Sequence, residues 1–193
     1  KIHCIIILAL IILATIGCRK KKDEPIAGTN AFVHTNVTDI IDANGNKIYL
    51  RGVAFGNEVW SNVEIPTTHH SEVDYGRVHD MGMNAVRFYM NYKTFEDDAN
   101  PYVYKQTGWD WIDLNIAWAK AHNVYLILNM HVLQGGFQSN GNGGALWNDQ
   151  TNQDRLEALW FNIPKKYANE PIIAAFDLLN EPVVTTSISQ WAI

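Results

Sequence analysis

Along most of the chain, apolar residues recur in two alternating rhythms. Phe32 to Val37 is extended, and Asn44-Gly45 sits between apolar runs, which is a strong local signal for a hairpin turn. Ile48 to Phe55 then reads as a strand. Ser71 to Met81 has partly helical spacing (Val73, Val78, Met81), with Ser71 as N-cap and Gly82 as the stop. Asn84 to Met90 is a short strand, and a polar loop through Asn100-Pro101 leads to a helix from about Trp109 to Ala121. Ile112, Ile116 and Ala119 form its buried face, and Asn123 suits a left-handed cap. Val124 to Met130 is almost wholly apolar and reads as a strand covered on both faces. After a Gly/Asn-rich stretch, a third helix starts near Thr151 and carries Leu156, Leu159, Trp160, Ile163 and Tyr167, with Pro164 expected to bend or break it. Ile172 to Leu179 is a further strand, ending at Asn180-Glu181-Pro182.

Strands alternating with helices imply a parallel sheet covered by helices. No Gly-rich phosphate turn follows any strand, which disfavours an open nucleotide-binding sheet. Polar residues stand at the carboxyl ends of successive strands instead, as in (β/α)8 barrel enzymes. A full barrel takes about 250 residues. The expectation is therefore an α/β chain whose residues 32–193 form the N-terminal half of a (β/α)8 TIM-type barrel, strands 1–4, preceded by a short β-hairpin.

The beginning of the chain follows a different pattern. An apolar run from Ile5 to Ile16 is shorter than the roughly 20 residues of a membrane-spanning helix and matches a secretory leader. Gly17-Cys18 after it is similar to a bacterial lipoprotein signal, although Thr15 stands where Leu is usual. Residues 1–18 are thus expected to be a lipoprotein-type signal peptide with Cys18 as the lipidated residue. The basic run from Arg19 and Pro25 marks 19–31 as a linker. Localisation would be extracytoplasmic in a bacterium, lipid-anchored, periplasmic or at the cell surface. Both cysteines lie in this segment, so the folded part has no disulfide framework or thiolate metal site.

Charge narrows the partners. A net charge of -5 disfavours nucleic acid and anionic membrane surfaces, leaving the lipid anchor as the expected membrane link. The 7 Trp and 8 Tyr are individually ordinary core filling, but as a set they suit stacking against sugar rings. Trp60 and Trp147, both in loops after strands, are candidate platforms, against simple loop packing. His69-His70 looks like a metal pair, yet neighbouring loop residues seldom converge on one ion and no acidic or Cys cluster accompanies them. No metal and no cofactor is expected.

Three strand ends carry the candidate chemistry: Arg87, His131 and Asn180-Glu181. Alone, each has a plain structural explanation: Arg87 could merely neutralise Asp177, and His131 could be a satisfied core histidine. Their order, each closing a hydrophobic strand at one end of one sheet, carries the argument. Strict alternation would send Asn180 and Glu181 to opposite faces, so a shared role requires the strand to bulge or break near Leu179.

Met83-Asn84-Ala85-Val86-Arg87-Phe88, Leu128-Asn129-Met130-His131 and Phe176-Asp177-Leu178-Leu179-Asn180-Glu181-Pro182 resemble the strand-end motifs of glycoside hydrolase family 5, and Leu50-Arg51-Gly52-Val53 its opening strand. The resemblance implies a barrel that cleaves β-glycosidic bonds with retention. Glu181 would be the acid/base, and Arg87, His131 and Asn180 would bind substrate, the Asn at the sugar 2-hydroxyl. The family's nucleophilic Glu belongs to a later strand, so this piece alone is expected to be inactive. Such chemistry needs a carboxylic acid to protonate the leaving oxygen and a second carboxylate about 5–5.5 Å away. The expected function is a cellulase-like endo-β-glucanase acting on β-1,4-glucan-type polysaccharide by double displacement, monomeric at full length. The rivals are another β-glycanase, such as a mannanase or xyloglucanase, and a catalytically dead surface glycan-binding lipoprotein.

Overall fold

The computed structural model describes residues 32–61, 63–138 and 144–183; the leader and linker expected over 1–31 lie outside the described residues. Among the described residues there are two sheets. The first is a small antiparallel meander of β1 (His34–Asn36), β2 (Asp39–Ile41) and β3 (Lys47–Ile48). The Asn44-Gly45 turn joins β2 to β3. Asp42 Oδ1 accepts from the backbone N–H of Asn44 and Asn46 at 2.8 Å, and Gly45 takes φ +81°. The expected single strand over 48–55 is in fact two: β3 ends in the meander, and β4 (Gly52–Phe55) opens the second sheet.

That second sheet is parallel, in the order β4, β5 (Ala85–Asn91), β6 (Tyr125–Val132) and β7 (Ile173–Asp177). Helices α1 (Glu72–Asp80), α2 (Gln106–Ala121) and α4 (Gln150–Lys166) connect successive strands, with a four-residue α3 (Gly144–Trp147) ahead of α4. Strand order equal to chain order with one helix per crossover is the winding of a (β/α)8 barrel, of which these are four strands.

Helix boundaries follow local chemistry. At α1 the Asp74 carboxylate reaches back to the Ser71 N–H at 2.9 Å, closing a capping box. Gly82 (φ +74°) and Asn123 (φ +54°) end α1 and α2 in the left-handed region. Asp149 caps α4 by accepting from Thr151 N–H at 2.9 Å. Pro164 does not break α4; it falls in the last turn, and the helix runs on to Lys166. On α1 the buried residues are Tyr75 and Val78, while Val73 and, just past the helix, Met81 are exposed.

Side chains alternate across a strand. One face of the sheet carries Val86, Phe88 and Met90 of β5 and Leu126, Leu128 and Met130 of β6, all at most 2 % exposed. Tyr75, Trp111, Ile112, Ile116, Ala119, Leu159 and Ile163 of the helices join the same core. The opposite face is polar: Arg87, Tyr89 and Asn91 on β5, Asn129 and His131 on β6, Asp177 on β7. β6 is covered on both faces, as expected, with only Tyr125 and Ile127 partly exposed, and its inward set ends in the buried polar residues Asn129 and His131.

Two sequence motifs meet where β4 joins β5. The Asn84 side chain donates to Tyr49 O at 3.0 Å and accepts from Arg51 N–H at 2.8 Å, stapling the entry to β4. Gly52 packs so closely that a Cβ there would lie 1.8 Å from the Ala85 carbonyl oxygen. A side chain at Gly52 must push β4 off β5. Gly52→Ala is therefore expected to destabilise the chain by about 3 kcal/mol, at the upper end for overpacking, read as a lower urea midpoint at unchanged slope.

Candidate active site

The polar inner face gathers residues of β5, β6 and β7; Arg87, expected to close its strand, is the third residue of β5 and reaches toward the end of β7 through its long side chain. Arg87 and Asp177 stand on strands separated by β6, and both side chains reach across it. Arg87 donates to Asp177 Oδ2 from Nε at 2.9 Å and from Nη2 at 2.7 Å, to Asn180 Oδ1 from Nη2 at 3.1 Å and to the Tyr89 hydroxyl from Nη1 at 3.2 Å. The Asp177 pair raises the Arg87 pKa against the opposing effect of burial. Arg87 is thus the partner of Asp177, and through the same guanidinium it orients Asn180.

His131 is stacked on Tyr89, with ring centroids 3.8 Å apart and planes 12° from parallel. Its Nδ1 lies 2.9 Å from Asn129 Oδ1. Burial, and then the nearby Arg87 charge, lower its pKa to about 4, with the Glu181 and Asp177 carboxylates pulling the other way. The imidazole is therefore neutral across the ordinary physiological range. Trp60 packs edge-on against both rings, 5.1 Å from His131 and 6.1 Å from Tyr89, and remains 64 % exposed.

The chain after β7 resolves the geometric difficulty at Asn180-Glu181. Strand geometry stops at Asp177, and Glu181 takes φ +45°, a left-handed conformation rare outside glycine. The exit is guided by three bonds: Trp160 Nε1 donates to Leu178 O at 2.8 Å, Asn180 N–H to Met130 O at 3.0 Å, and Trp147 Nε1 to Val183 O at 2.8 Å. Asn180 is buried and Glu181 exposed, yet the Glu181 charge still reaches His131. Trp147, a candidate platform, has its indole N–H turned to the backbone two residues past Glu181.

A similar departure follows β4, where Asn57 and Glu58 both take φ +50° and Asn57 Nδ2 donates to Tyr89 O at 2.8 Å. This turn delivers Trp60 to the site. Beside Trp60 opens a cleft of about 500 Å³, lined also by Asn91, Lys93, Asp98, Phe137 and Arg155. Its rim rests on a buried network. Glu96, fully buried, accepts from Arg155 Nε at 3.0 Å, Gln134 Nε2 at 2.7 Å and Tyr102 N–H at 2.7 Å, and Arg155 Nη2 also reaches Asp98 at 3.1 Å. Among the described residues no group of three His, Cys, Asp or Glu could hold a metal ion. Part of the Gly/Asn-rich stretch after β6, 139–143, lies outside the described residues.

The structure thus gathers Arg87, His131, Asn180 and Trp60, with Glu181 next to Asn180 in the chain, and ties Trp147 to the Val183 carbonyl. Sequence reasoning missed Tyr89 and Asn129. Each is two residues from a recognised one, Arg87 or His131, and so shares its face of the strand; that period is the signal that would have found them.

Residues 41–193 match the family model for cellulase, glycosyl hydrolase family 5, and the chain belongs to that family. Among similar proteins, a Beta-xylosidase of Phanerodontia chrysosporium is 27% identical over 79% of this chain and 40% of its own length. Endoglucanase C of Acetivibrio thermocellus is 33% identical over 63% of this chain and 35% of its own. In structure the chain is similar to endo-glycoceramidase II from Rhodococcus sp. in its cellobiose-like isofagomine complex, with a TM-score of 0.61 at 20% identity over 76% of this chain and 43% of that one. A crystal structure of an endogalactoceramidase gives a TM-score of 0.62 at 17% identity over 78% and 44%. These likenesses establish the barrel fold. The chain spans 40% or less of the length of the first two relatives.

The depressed His131 pKa has a consequence for stability. Between the ordinary histidine value near 6.5 and about 4, the unfolded chain binds a proton that the folded one refuses. Stability from this residue is complete above the upper value and falls as the pH drops through that window. In thermal unfolding from pH 7 to 4, His131→Gln is expected to flatten this part of the acid-side decline, leaving the carboxylate-driven part.

Proposed function

We propose that the protein containing this chain is a retaining β-glycanase, an endo-acting β-1,4-glucanase, with Glu181 as acid/base. The single observation supporting it is the break after Asp177, which puts Glu181 next in the chain to an Asn180 held by Arg87 and within electrostatic reach of His131. In the first step the Glu181 carboxylic acid would protonate the leaving glycosidic oxygen while a carboxylate on a later strand attacks the anomeric carbon. In the second, Glu181 as carboxylate would take a proton from water, which then attacks the same carbon and releases the enzyme carboxylate. Asn180 would bind the 2-hydroxyl of the reacting sugar, a contact that strengthens as charge develops in the ring. Neutral His131 would meet a sugar hydroxyl, and exposed Trp60 would stack on a neighbouring ring. The relatives' names include an endoglucanase and a xylosidase, which supports a β-linked glycan as substrate class; the preference for glucan rests on the family of the chain.

In the intact enzyme, Glu181→Gln is expected to cut hydrolysis of unactivated β-1,4-glucan by about 10²- to 10⁴-fold, the usual weight of general acid catalysis. An aryl β-glycoside with a good leaving group would lose far less in its first step. Reducing-sugar release and the burst of aryl product measure the two effects. Full turnover by the variant would overturn the reading, and an intact protein that binds glucan without cleaving it would be a binding lipoprotein instead.

We further propose that the protein is exported and anchored through Cys18. Palmitate labelling in a bacterial host is expected to tag the wild type and to disappear in Cys18→Ala, with the protein moving from membrane to soluble fraction.

A further inference from the structure

The proposed function makes no use of Trp147, yet its indole is joined to the segment that carries Glu181. Glu181 is a non-glycine residue at φ +45°, and it precedes Pro182, whose ring favours extended backbone at the position ahead of it. Two local preferences therefore oppose the backbone conformation of this residue. It has to be held from both ends. Upstream, Asn180 is fixed by its own N–H on Met130 O at 3.0 Å and by Arg87 Nη2 on its Oδ1 at 3.1 Å. Downstream, Trp147 Nε1 donates to Val183 O at 2.8 Å. An indole N–H can only donate, so the sense of this bond is fixed.

Trp147 is itself braced. It is the last residue of α3, whose Leu146 is buried in the core. A four-residue helix leaves its carbonyls without partners inside the helix. Here α4 takes them up: Asn152 Nδ2 donates to Ala145 O at 2.9 Å, and Gln153 Nε2 to Leu146 O at 3.0 Å and Trp147 O at 3.2 Å. The turn after β6 also comes close, so that a Cβ on Gly135 would lie 2.9 Å from Ala145 Cβ. A continuous brace thus runs from α4 through the backbone of α3 and the Trp147 ring to Val183.

We infer that Trp147 is a positioning residue for the acid/base: its indole N–H holds Val183 so that Glu181 keeps its left-handed turn, and with it the direction of its carboxyl group. This rests on the glycanase reading above, and it gives Trp147 a role exerted through Glu181 in place of the sugar platform expected from its position in a loop. Without the bond, Glu181 relaxes toward the extended backbone that Pro182 favours, and the carboxyl group swings away from the leaving oxygen.

The test uses the intact enzyme with cellotetraose, whose leaving group needs a proton, and dinitrophenyl β-cellobioside, whose leaving group does not. Trp147→Phe keeps a ring and removes the donor. It is expected to lower kcat/KM for cellotetraose about three- to tenfold, the weight of one neutral hydrogen bond, through kcat and with KM within about twofold. For the dinitrophenyl substrate kcat/KM should stay within about twofold. Gln153→Leu, which loosens the brace with Trp147 in place, should act in the same direction by less, and it carries the comparison if Trp147→Phe fails to fold. In a Glu181→Gln background Trp147→Phe should cost nothing further, because it acts through the carboxyl group. A sugar platform or a general loosening of the fold would instead depress both substrates equally. That result, no loss on either substrate, or losses that add to those of Glu181→Gln would overturn the inference. If the wild type cleaves neither substrate, or Glu181→Gln keeps full activity, the glycanase reading fails instead; rapid hydrogen exchange at the Trp147 indole N–H would sink the brace whatever the activity.

Discussion

One guanidinium organises the inner face of this sheet. Arg87 leans across β6 to place two donors on a single Asp177 oxygen and a further bond on Asn180. β5 and β7 are not neighbours in the sheet, and this ion pair links them across β6. With side chains 34% and 31% exposed, the pair is partly screened, and its worth lies more in geometry than in raw stability. A guanidinium that bonds both a carboxylate and an amide ties the last residue of β7 to the turn that follows it.

The rest of the site depends on that turn. Asp177 is the last residue with strand geometry, and the next six are steered by the indoles of Trp160 and Trp147 and by the Met130 carbonyl. The left-handed backbone at Glu181 is the local cost, of the kind that collects at functional sites. Asn57 and Glu58 repeat the device after β4, where two left-handed residues throw Trp60 over His131. Both strand ends trade regular pairing for side-chain placement.

The two faces of the sheet divide the work. The outer face is apolar and closely packed against α1, α2 and α4, holding the strands in register. The inner face carries the charges, and burial among them keeps His131 neutral beside Arg87. Farther out, the buried Arg155–Glu96 pair, its side chains 6% and 0% exposed, ties α4 to the loop after β5 and so stiffens the cleft rim. Losing one partner of such a pair strands a charge in the interior, which is costly.

How much of this was legible in the sequence depends on the range of the interaction. Period and capping are local, so the βα rhythm, the Ser71, Gly82 and Asn123 boundaries and the Asn44-Gly45 turn could be read directly, as could His131 near the end of β6 and Asn180-Glu181 just past β7; Arg87, expected to close its strand, is instead the third residue of β5. The split of 48–55 into two strands could not, because it depends on Asn84, over thirty residues away, reaching Tyr49 and Arg51. Nor could the inward polarity of β6, since a short apolar run does not say which face meets helices. The orientation of Asn180, the turn of Trp147 toward Val183 and the meeting of Tyr75 and His70 at Asn115 are decided by contacts between distant segments. Residue type and spacing by themselves determined which chemistry was available; only packing decided which groups share a proton, because hydrogen bonds hold over about 3 Å while the chain brings their partners from tens of residues away.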